Sequence, residues 1–206
     1  RRAWVKALAG LARRGAGAGW RGWLLPLLMA GWLGSAAAQA LDVPPLDARV
    51  IDRTGTLDPA ATGALAERLA SLERETGAQV VVLMVAATAP EDIAAYAHRV
   101  ADTWKIGRRT VGDGLLIVVA TQDRKMRIEV AKTLEGAIPD LMAKRIITEQ
   151  LTPAFRQGDY AGGLAAAVTR IGGLIQGEHL PAPDPGWHPD GSGPPAPVGD
   201  AGTDLF

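Results

Sequence analysis

Two short apolar runs constrain the fold of this chain more than any other feature. Residues 80–85 form an unbroken run rich in valine, bounded by Gly77 and Pro90, and residues 115–119 form a second run after Gly112-Asp113-Gly114. Continuous apolar runs of this length are typical of strands that are covered on both faces. The segment between them is long enough to hold a helix, so we expect a parallel strand pair joined by a right-handed crossover.

Helix and strand patterns alternate around these runs. Asp58 before Pro59 predicts the start of a first helix and Gly77 its left-handed end. The strict alternation over residues 126–130 predicts a strand that pairs antiparallel with the second run in a hairpin. Three further helices are predicted from apolar spacing: Ile93, Tyr96, Ala97, Val100 and Trp104; Leu134, Ile138, Leu141 and Arg145-Ile146; Tyr160, Leu164, Val168, Ile171 and Ile175. The pattern predicts one α/β domain, a three-layer αβα sandwich with a small mixed sheet.

The two ends of the sequence differ in composition from the middle. Residues 1–40 combine basic positions, a short apolar run and an Ala-Gln-Ala end, which is typical of a signal peptide cut after Ala40. The alternative is an uncleaved membrane anchor, although the run is short for a bilayer span. We expect residues 41–47 to be a leader and residues 48–176 the folded domain. Residues 177–206, rich in Pro, Gly and Asp, are expected to be a disordered tail or a linker that leads to a membrane anchor.

The charge balance depends on whether the first segment is removed. That segment holds six of the 22 basic residues and no acidic residue, so cleavage leaves 16 basic against 22 acidic residues, a net charge of −6. A negative chain is a poor partner for nucleic acid or anionic lipid, so no nucleic-acid partner is expected. We expect an exported protein of the periplasm or cell envelope.

The residue types of the domain exclude several kinds of active site. Cysteine is absent from the sequence, Ser71 is the only serine of residues 48–176, and His98 is their only histidine. A Ser-His-Asp or Cys-His nucleophile and a His-rich zinc site therefore cannot be assembled. His98 falls on the polar side of the second helix, where a solvated side chain is expected. Carboxylates remain as the groups with chemistry to offer.

Three carboxylates are expected at one end of the sheet. Because the second run pairs antiparallel with residues 126–130, the loop that holds Asp113 lies beside the segment that holds Glu135 and Asp140. Carboxylates there, with loop carbonyls of Gly112 and Gly136, would suit Ca²⁺ or Mg²⁺. Two structural explanations remain as alternatives to cation binding. Asp113 could only shape a turn between glycines, and Asp140 could lie at a helix N-terminus because negative charge is favourable there.

Several motifs resemble the TPM domain family over nearly all of residues 48–176. They are Val50-Ile51-Asp52 with Thr56-Leu57; Leu72-Glu73 with Thr76-Gly77-Ala78-Gln79-Val80; Asp113-Gly114-Leu115 through Ala120 with Arg124 and Arg127-Ile128-Glu129-Val130; Leu134-Glu135-Gly136-Ala137-Ile138-Pro139-Asp140; and Pro153-Ala154-Phe155-Arg156 with Gly158-Asp159-Tyr160. The resemblance implies an acidic site that binds Ca²⁺ or Mg²⁺ in some members. It matches Asp52, Asp113, Asp140 and Glu135 to acidic positions of the family. It also implies export, often with tethering to a membrane, and a plant chloroplast member is described as an acid phosphatase.

One motif departs from the family pattern. Members usually have a glycine-rich Val-Gly-x-Gly before Leu-Glu-Gly, whereas this chain has Val130-Ala131-Lys132-Thr133. Loss of glycine limits the approach of backbone to a ligand, and Lys132 adds positive charge beside the expected site. We therefore favour a divalent-cation-binding module that assists or binds a membrane complex. A metal-dependent acid phosphatase that uses the same acidic site is the alternative, with Lys132 or Arg124 as candidate phosphate contacts. Arg124 is more simply explained as a solvated turn charge.

Overall fold

A computed structural model describes residues 41–177 and Leu180 of the chain. Its four strands form one sheet in the order β1 (Val50–Asp52), β2 (Gln79–Val85), β3 (Gly114–Ala120) and β4 (Lys125–Val130). Strands β1, β2 and β3 run parallel, and β4 pairs antiparallel with β3. The expected parallel pair and the expected hairpin are both confirmed. The strand β1 is a parallel neighbour of β2 that the sequence pattern did not predict.

Five α-helices complete the domain: α1 (Pro59–Thr76), α2 (Ile93–Trp104), α3 (Asp140–Ile146), α4 (Thr152–Arg156) and α5 (Tyr160–Gln176). A 3-10 turn (Lys132–Leu134) follows β4, and a π turn (Ile147–Leu151) joins α3 to α4. Helix α1 begins as predicted, because the Asp58 side chain accepts a hydrogen bond from the Ala61 N–H at 2.7 Å. It ends as predicted at Gly77, which has a φ of +77°.

The start of α3 differs from the prediction. The apolar spacing placed Leu134, Ile138 and Leu141 on one helix, but the helix begins only at Asp140. Pro139 directly precedes it, and the residue before a proline is disfavoured from helical geometry. Leu134 and Ile138 lie in the segment that connects β4 to α3, and their side chains are buried in the core. Leu141, on the helix itself, is 72 % exposed.

Apolar side chains fill the space on both faces of the sheet. On one face, Val80, Val82, Leu115 and Ile117 pack with α1, α3 and α5. On the other face, alternate residues of the same strands pack with α2, around Tyr96 and Val100. The αβα sandwich with a small mixed sheet is therefore confirmed, and the chain is an α/β domain. Within residues 41–177, none of the helices is long and apolar enough to cross a membrane.

The leader crosses the face of the domain that α2 covers. Leu41, Val43 and Leu46 pack against the apolar cluster of that face. The Arg99 guanidinium donates to the Leu41 carbonyl at 2.7 Å, and the Trp104 indole N–H donates to the Pro44 carbonyl at 2.7 Å. The predicted signal peptide and nearly all of the predicted tail lie outside the described residues.

The parallel strands give the sheet two chemically different ends. At the amino end β2 and β3 begin, at Gln79 and Gly114, which are paired in the register of the sheet. At the carboxyl end, β1 finishes at Asp52 beside Met84, and β3 finishes at Ala120, opposite Lys125 of the hairpin. Asp113 therefore lies at the amino end of the sheet and Asp52 at the carboxyl end.

Candidate functional site

Asp113 lies in the loop before β3 and is fully buried. Its Oδ2 accepts from Nε and Nη2 of Arg108 at 2.7 and 2.6 Å, and its Oδ1 accepts from the Arg108 backbone N–H at 2.7 Å. The Asp113 carbonyl also accepts from the Gln79 N–H at 3.1 Å. Both carboxylate oxygens are therefore committed to Arg108, whose own exposure is 5 %.

The backbone around this ion pair is shaped to admit the guanidinium. An added Cβ at Gly77 would lie 2.6 Å from Cζ and Nη2 of Arg108, so the end of α1 passes directly against the arginine. Gly77 also holds the left-handed conformation, which glycine adopts without a Cβ clash. Gln79 fixes the loop from the other side, since its Oε1 accepts from the Gly107 N–H at 2.7 Å.

Glu73, in the last turn of α1, adds a second buried carboxylate to this end of the sheet. Its exposure is 3 %, and its Oε2 accepts from Arg49 Nε at 2.7 Å. Its Oε1 has no hydrogen-bond partner among the described residues. Burial raises the pKa of the Glu73 carboxyl above its ordinary value, and the charge of Asp113 acts in the same direction, whereas Arg49 opposes it. We call Glu73, Arg108 and Asp113 the amino-end cluster.

A cleft of about 570 Å³ opens beside this cluster, between α2 and the end of β4. Its lining mixes both signs of charge: His98, Lys105, Arg109 and Lys132 with Asp102, Glu129 and Glu135. His98 is exposed, as expected, and its Nδ1 lies 3.1 Å from Glu129 Oε1. Glu129 also accepts from Arg127 at 3.0 and 3.1 Å. The acidic groups here lie among basic ones, which is unlike an all-acidic cation site.

The four carboxylates predicted as cation ligands do not converge. Asp113 is buried against Arg108, Glu135 is exposed at the rim of the cleft, and Asp140 is 79 % exposed at the start of α3, 3.9 Å from Arg127. Asp52 lies at the opposite end of the sheet. Among residues 41–177, no three His, Cys, Asp or Glu side chains are grouped so that they could hold a metal ion. The described residues therefore do not fit a single Ca²⁺ or Mg²⁺ site built from these four.

Asp52 has a local structural role instead. Its Oδ1 accepts from the N–H and hydroxyl of Thr54 at 2.8 and 2.6 Å, and its Oδ2 accepts from the Leu57 N–H at 2.8 Å. Burial would raise the pKa of Asp52, but the hydrogen bonds from Leu57 and Thr54 outweigh burial and lower the pKa. The carboxylate holds the turn between β1 and α1.

A second cleft, of about 640 Å³, opens at the carboxyl end of the sheet. We call it the hairpin-end cleft, and its lining residues come from the end of β3, the hairpin turn, α4 and the start of α5: Val119, Ala120, Thr121, Arg124, Lys125, Met126, Thr152, Phe155, Arg156 and Tyr160. Three of them are basic and none is acidic. The sequence analysis named Arg124 as a candidate phosphate contact and preferred a solvated turn charge, and it named Arg156 only within a family motif. It did not place the two arginines together, because residues so far apart in sequence are brought together only by the fold.

The sequence model described as the TPM domain matches residues 50–174. The chain belongs to the TPM domain family. The fold is similar to that of solved structures: the N-terminal domain of a Porphyromonas gingivalis protein is 28 % identical, with a TM-score of 0.61 over 66 % of this chain and 90 % of that one.

Two further structures share the fold with this TPM domain. The N-terminal domain of cg2496 from Corynebacterium glutamicum is 15 % identical, with a TM-score of 0.51 over 66 % of this chain and 86 % of that one. The BA42 protein of Bizionia argentinensis is 21 % identical, with a TM-score of 0.52 over 58 % of this chain and 81 % of that one. A search of curated proteins gave no match.

Proposed function

We propose that this TPM domain protein is exported to the periplasm or cell envelope and acts there as a binding module for a membrane or envelope protein complex. The observation that carries this proposal is the buried ion pair of Arg108 and Asp113. The competing phosphatase hypothesis needs Asp113 as a ligand to a cation that polarises a phosphoryl group. In the folded domain that carboxylate is buried and paired with Arg108, so we assign it a structural role.

Binding of Ca²⁺ or Mg²⁺ stays a prediction of the family resemblance. A shared site would require Asp113 to leave Arg108, and a buried charge that loses its partner costs several kcal/mol. Asp52 cannot join such a site without crossing the sheet, because β1 and β3 run parallel and place the two carboxylates at opposite ends. The binding-module function proposed here does not depend on a cation.

Export with cleavage after Ala40 is part of this proposal. Residues 41–46 already belong to the packed face of the domain, through the hydrogen bonds to Leu41 and Pro44. Cleavage at this point would keep all of these contacts. We expect the protein purified from the periplasm or envelope fraction of a producing cell to begin at Leu41. An intact N-terminus, measured by mass spectrometry, would instead support the uncleaved anchor.

A hydrolysis assay separates the binding module from the phosphatase. Three mature proteins are assayed: wild type, Asp140→Asn and the control Glu149→Gln. Each is incubated with p-nitrophenyl phosphate in the presence of Ca²⁺, of Mg²⁺ or of neither ion. Both substituted carboxylates are exposed, so neither change should unfold the domain. We expect no turnover above the protein-free reaction with any of the three proteins. Turnover in wild type and Glu149→Gln that Asp140→Asn removes would establish the phosphatase and contradict the module.

A cross-linking experiment tests the binding function directly. Wild-type chain is cross-linked in intact envelopes, and the captured proteins are compared with those captured by an unrelated exported domain of similar size. We expect the TPM domain protein to give a reproducible product with a membrane or envelope protein. The absence of any specific product in its own host would contradict the proposed function.

A further inference from the structure

We propose that the hairpin-end cleft docks an acidic peptide segment of a partner protein. The carboxylates of the segment would pair with Arg124, Lys125 and Arg156, and an apolar side chain would lie against Phe155 and Tyr160. The inference deepens the proposed binding function, on which it rests, by assigning a surface and a partner chemistry to it.

The first argument for this docking site is the positive charge of the cleft. Arg124, Lys125 and Arg156 are exposed, and among the described residues none of them forms an ion pair with a carboxylate. Within the part of the chain that the structure describes, no acidic residue lines the cleft. A group of three cations stands out in a mature chain whose expected net charge is −6. The cleft is therefore complementary to a ligand that carries several negative charges.

The nearest acidic residues along the chain are used elsewhere. Asp123, in the hairpin turn, accepts from the N–H groups of Thr88 and Ala89 at 2.7 and 3.4 Å. Asp159 caps α5, because its Oδ1 accepts from the Gly162 N–H at 2.8 Å. Both carboxylates have local backbone partners, although Asp123 also interacts electrostatically with Lys125. Neither forms an ion pair with Arg124 or Arg156 among the described residues, which leaves these two arginines available to a ligand.

The backbone of Arg124 gives a second reason to regard the cleft as a site. Its φ is +53°, in the left-handed region. A non-glycine residue pays about 1 kcal/mol for this conformation, and glycine would hold the turn without strain. The chain keeps a long basic side chain at a position where local backbone energetics favour glycine. Strained backbone of this kind is concentrated at functional positions.

An aromatic wall borders the three cations. The rings of Phe155 and Tyr160 are 4.6 Å apart between centroids, and an added Cβ at Gly163 would lie 2.9 Å from Phe155 Cε1. The Phe155 ring therefore packs directly on the backbone of α5, which fixes one wall of the cleft. A wall that is already ordered loses little conformational entropy when a ligand binds.

The residue types favour a protein segment over a small anion. Arg, Tyr, Phe and Met are enriched at protein interfaces, and Arg and Tyr are common among the residues that dominate binding energy. The cleft holds Arg124, Met126, Phe155, Arg156 and Tyr160. Phosphate sites usually present free backbone N–H groups at a helix N-terminus. The start of α5 borders this cleft, but its Gly162 N–H already donates to the Asp159 side chain. The cations here are exposed side chains of the hairpin and of the end of α4.

The test uses the full mature chain labelled with ¹⁵N and a synthetic peptide of alternating aspartate and phenylalanine. We expect amide shifts over residues 121–126 and 152–160, and weaker binding as salt is added. A peptide with lysine in place of aspartate should not bind. Arg124→Gly and Arg156→Ala should each weaken binding by about two- to fivefold and the double variant by about tenfold. Arg68→Ala, which removes an exposed arginine of α1, is the matched control and should bind as wild type does.

Several results would overturn the proposal. It fails if the peptide does not bind, or if binding is unaffected by the double variant. Cleft shifts with inorganic phosphate or with anionic phospholipid vesicles, in place of the peptide, would assign the cleft to phosphate or to a membrane surface. Binding that requires removal of residues 178–206 would assign it to the chain's own tail.

The envelope cross-linking separates this inference from the proposed function. If the double variant captures the same partner as wild type, the cleft is not the docking surface and the binding function stands. If wild type captures no partner, the proposed function fails, whatever the synthetic peptide does.

Discussion

Charged side chains lie at both ends of the sheet, but they are buried and paired at one end and exposed at the other. At the amino end, Arg108 and Asp113 are buried and bonded to each other. At the carboxyl end, Arg124, Lys125 and Arg156 are exposed around a cleft that has no acidic lining residue among residues 41–177. Buried, mutually satisfied charges stabilise one conformation of the loop before β3. The exposed charges at the carboxyl end form no ion pair among the described residues, and on this difference rests our proposal that the carboxyl end binds a ligand.

Removal of Asp113 should have the largest effect on stability. Asp113→Ala leaves the Arg108 guanidinium buried without its main partner, and breaking a buried pair in this way costs about 3–5 kcal/mol. We expect a loss of that size in urea unfolding. Replacement of both Arg108 and Asp113 by leucine should recover part of the loss, because no unpaired charge then remains. A loss below about 1 kcal/mol for Asp113→Ala would show that the pair is not structural.

Gly77→Ala should have the next largest effect. The added methyl group meets both a left-handed backbone, at φ +77°, and the guanidinium of Arg108 at 2.6 Å. Gly158→Ala is the matched control, since Gly158 has a φ of +80° and no atom within 4 Å of the added Cβ. The control should lose about 1 kcal/mol from backbone strain alone, and Gly77→Ala about 2–3 kcal/mol. Equal losses for the two variants would contradict the packing of α1 against Arg108.

The two ends should also differ in how a carboxylate contributes to stability as pH changes. Burial raises the folded-state pKa of Glu73 above 4.5, so its contribution is full below pH 4.5 and is lost as the pH rises through the raised pKa. Hydrogen bonds lower the folded-state pKa of Asp52 below 3.8, so its contribution is present above pH 3.8 and is lost as the pH falls through the lowered pKa.

Urea unfolding of wild type, Glu73→Gln and Asp52→Asn between about pH 3 and about pH 8 measures these contributions. Relative to wild type, Glu73→Gln should gain stability as the pH rises above 4.5. Asp52→Asn should lose stability relative to wild type as the pH rises towards 3.8, with a constant difference above it. Differences of the same sign would contradict the contrast between the two ends.

Arg124→Gly should have the smallest effect on stability. The substitution removes an exposed side chain and relieves a left-handed backbone, so we expect unchanged or slightly higher stability, by up to about 1 kcal/mol. Thermal unfolding of wild type, Arg124→Gly and the control Arg68→Ala measures this difference in stability. A clear loss for Arg124→Gly alone would mean that Arg124 supports the hairpin and would weaken its assignment to a binding surface.

Much of the fold was predictable because local signals agreed with the tertiary structure. The two apolar runs form β2 and β3, and the alternating residues 126–130 lie in β4. Asp58 and Gly77 are the N-cap and the C-cap of α1. The predicted start of α3 was wrong. The apolar spacing continues through Gly136 and Pro139, but the helix begins only after them, at Asp140.

The site was less predictable, because it depends on which end of the sheet each residue reaches. Strand β1 has only three residues, too few for a periodic pattern. Had β1 been identified as parallel to β2, Asp52 at its end and Asp113 before β3 would have been placed at opposite ends. The pair of Arg108 with Asp113 could not be predicted from spacing, because the burial of a loop arginine depends on Gly77 and Gln79, which are distant in sequence.

The most direct test of the structural role of Asp113 is urea unfolding of the mature wild-type chain and of Asp113→Ala, in EDTA and in excess Ca²⁺ or Mg²⁺. The buried ion pair predicts that the variant is about 3–5 kcal/mol less stable than wild type in all three solutions, so any effect of the ions is the same in both proteins. A cation that binds the native state through Asp113 would add about 2.7 kcal/mol to wild type at 100 times its dissociation constant. Such a gain, absent from Asp113→Ala, would contradict the structural role and restore the acidic site.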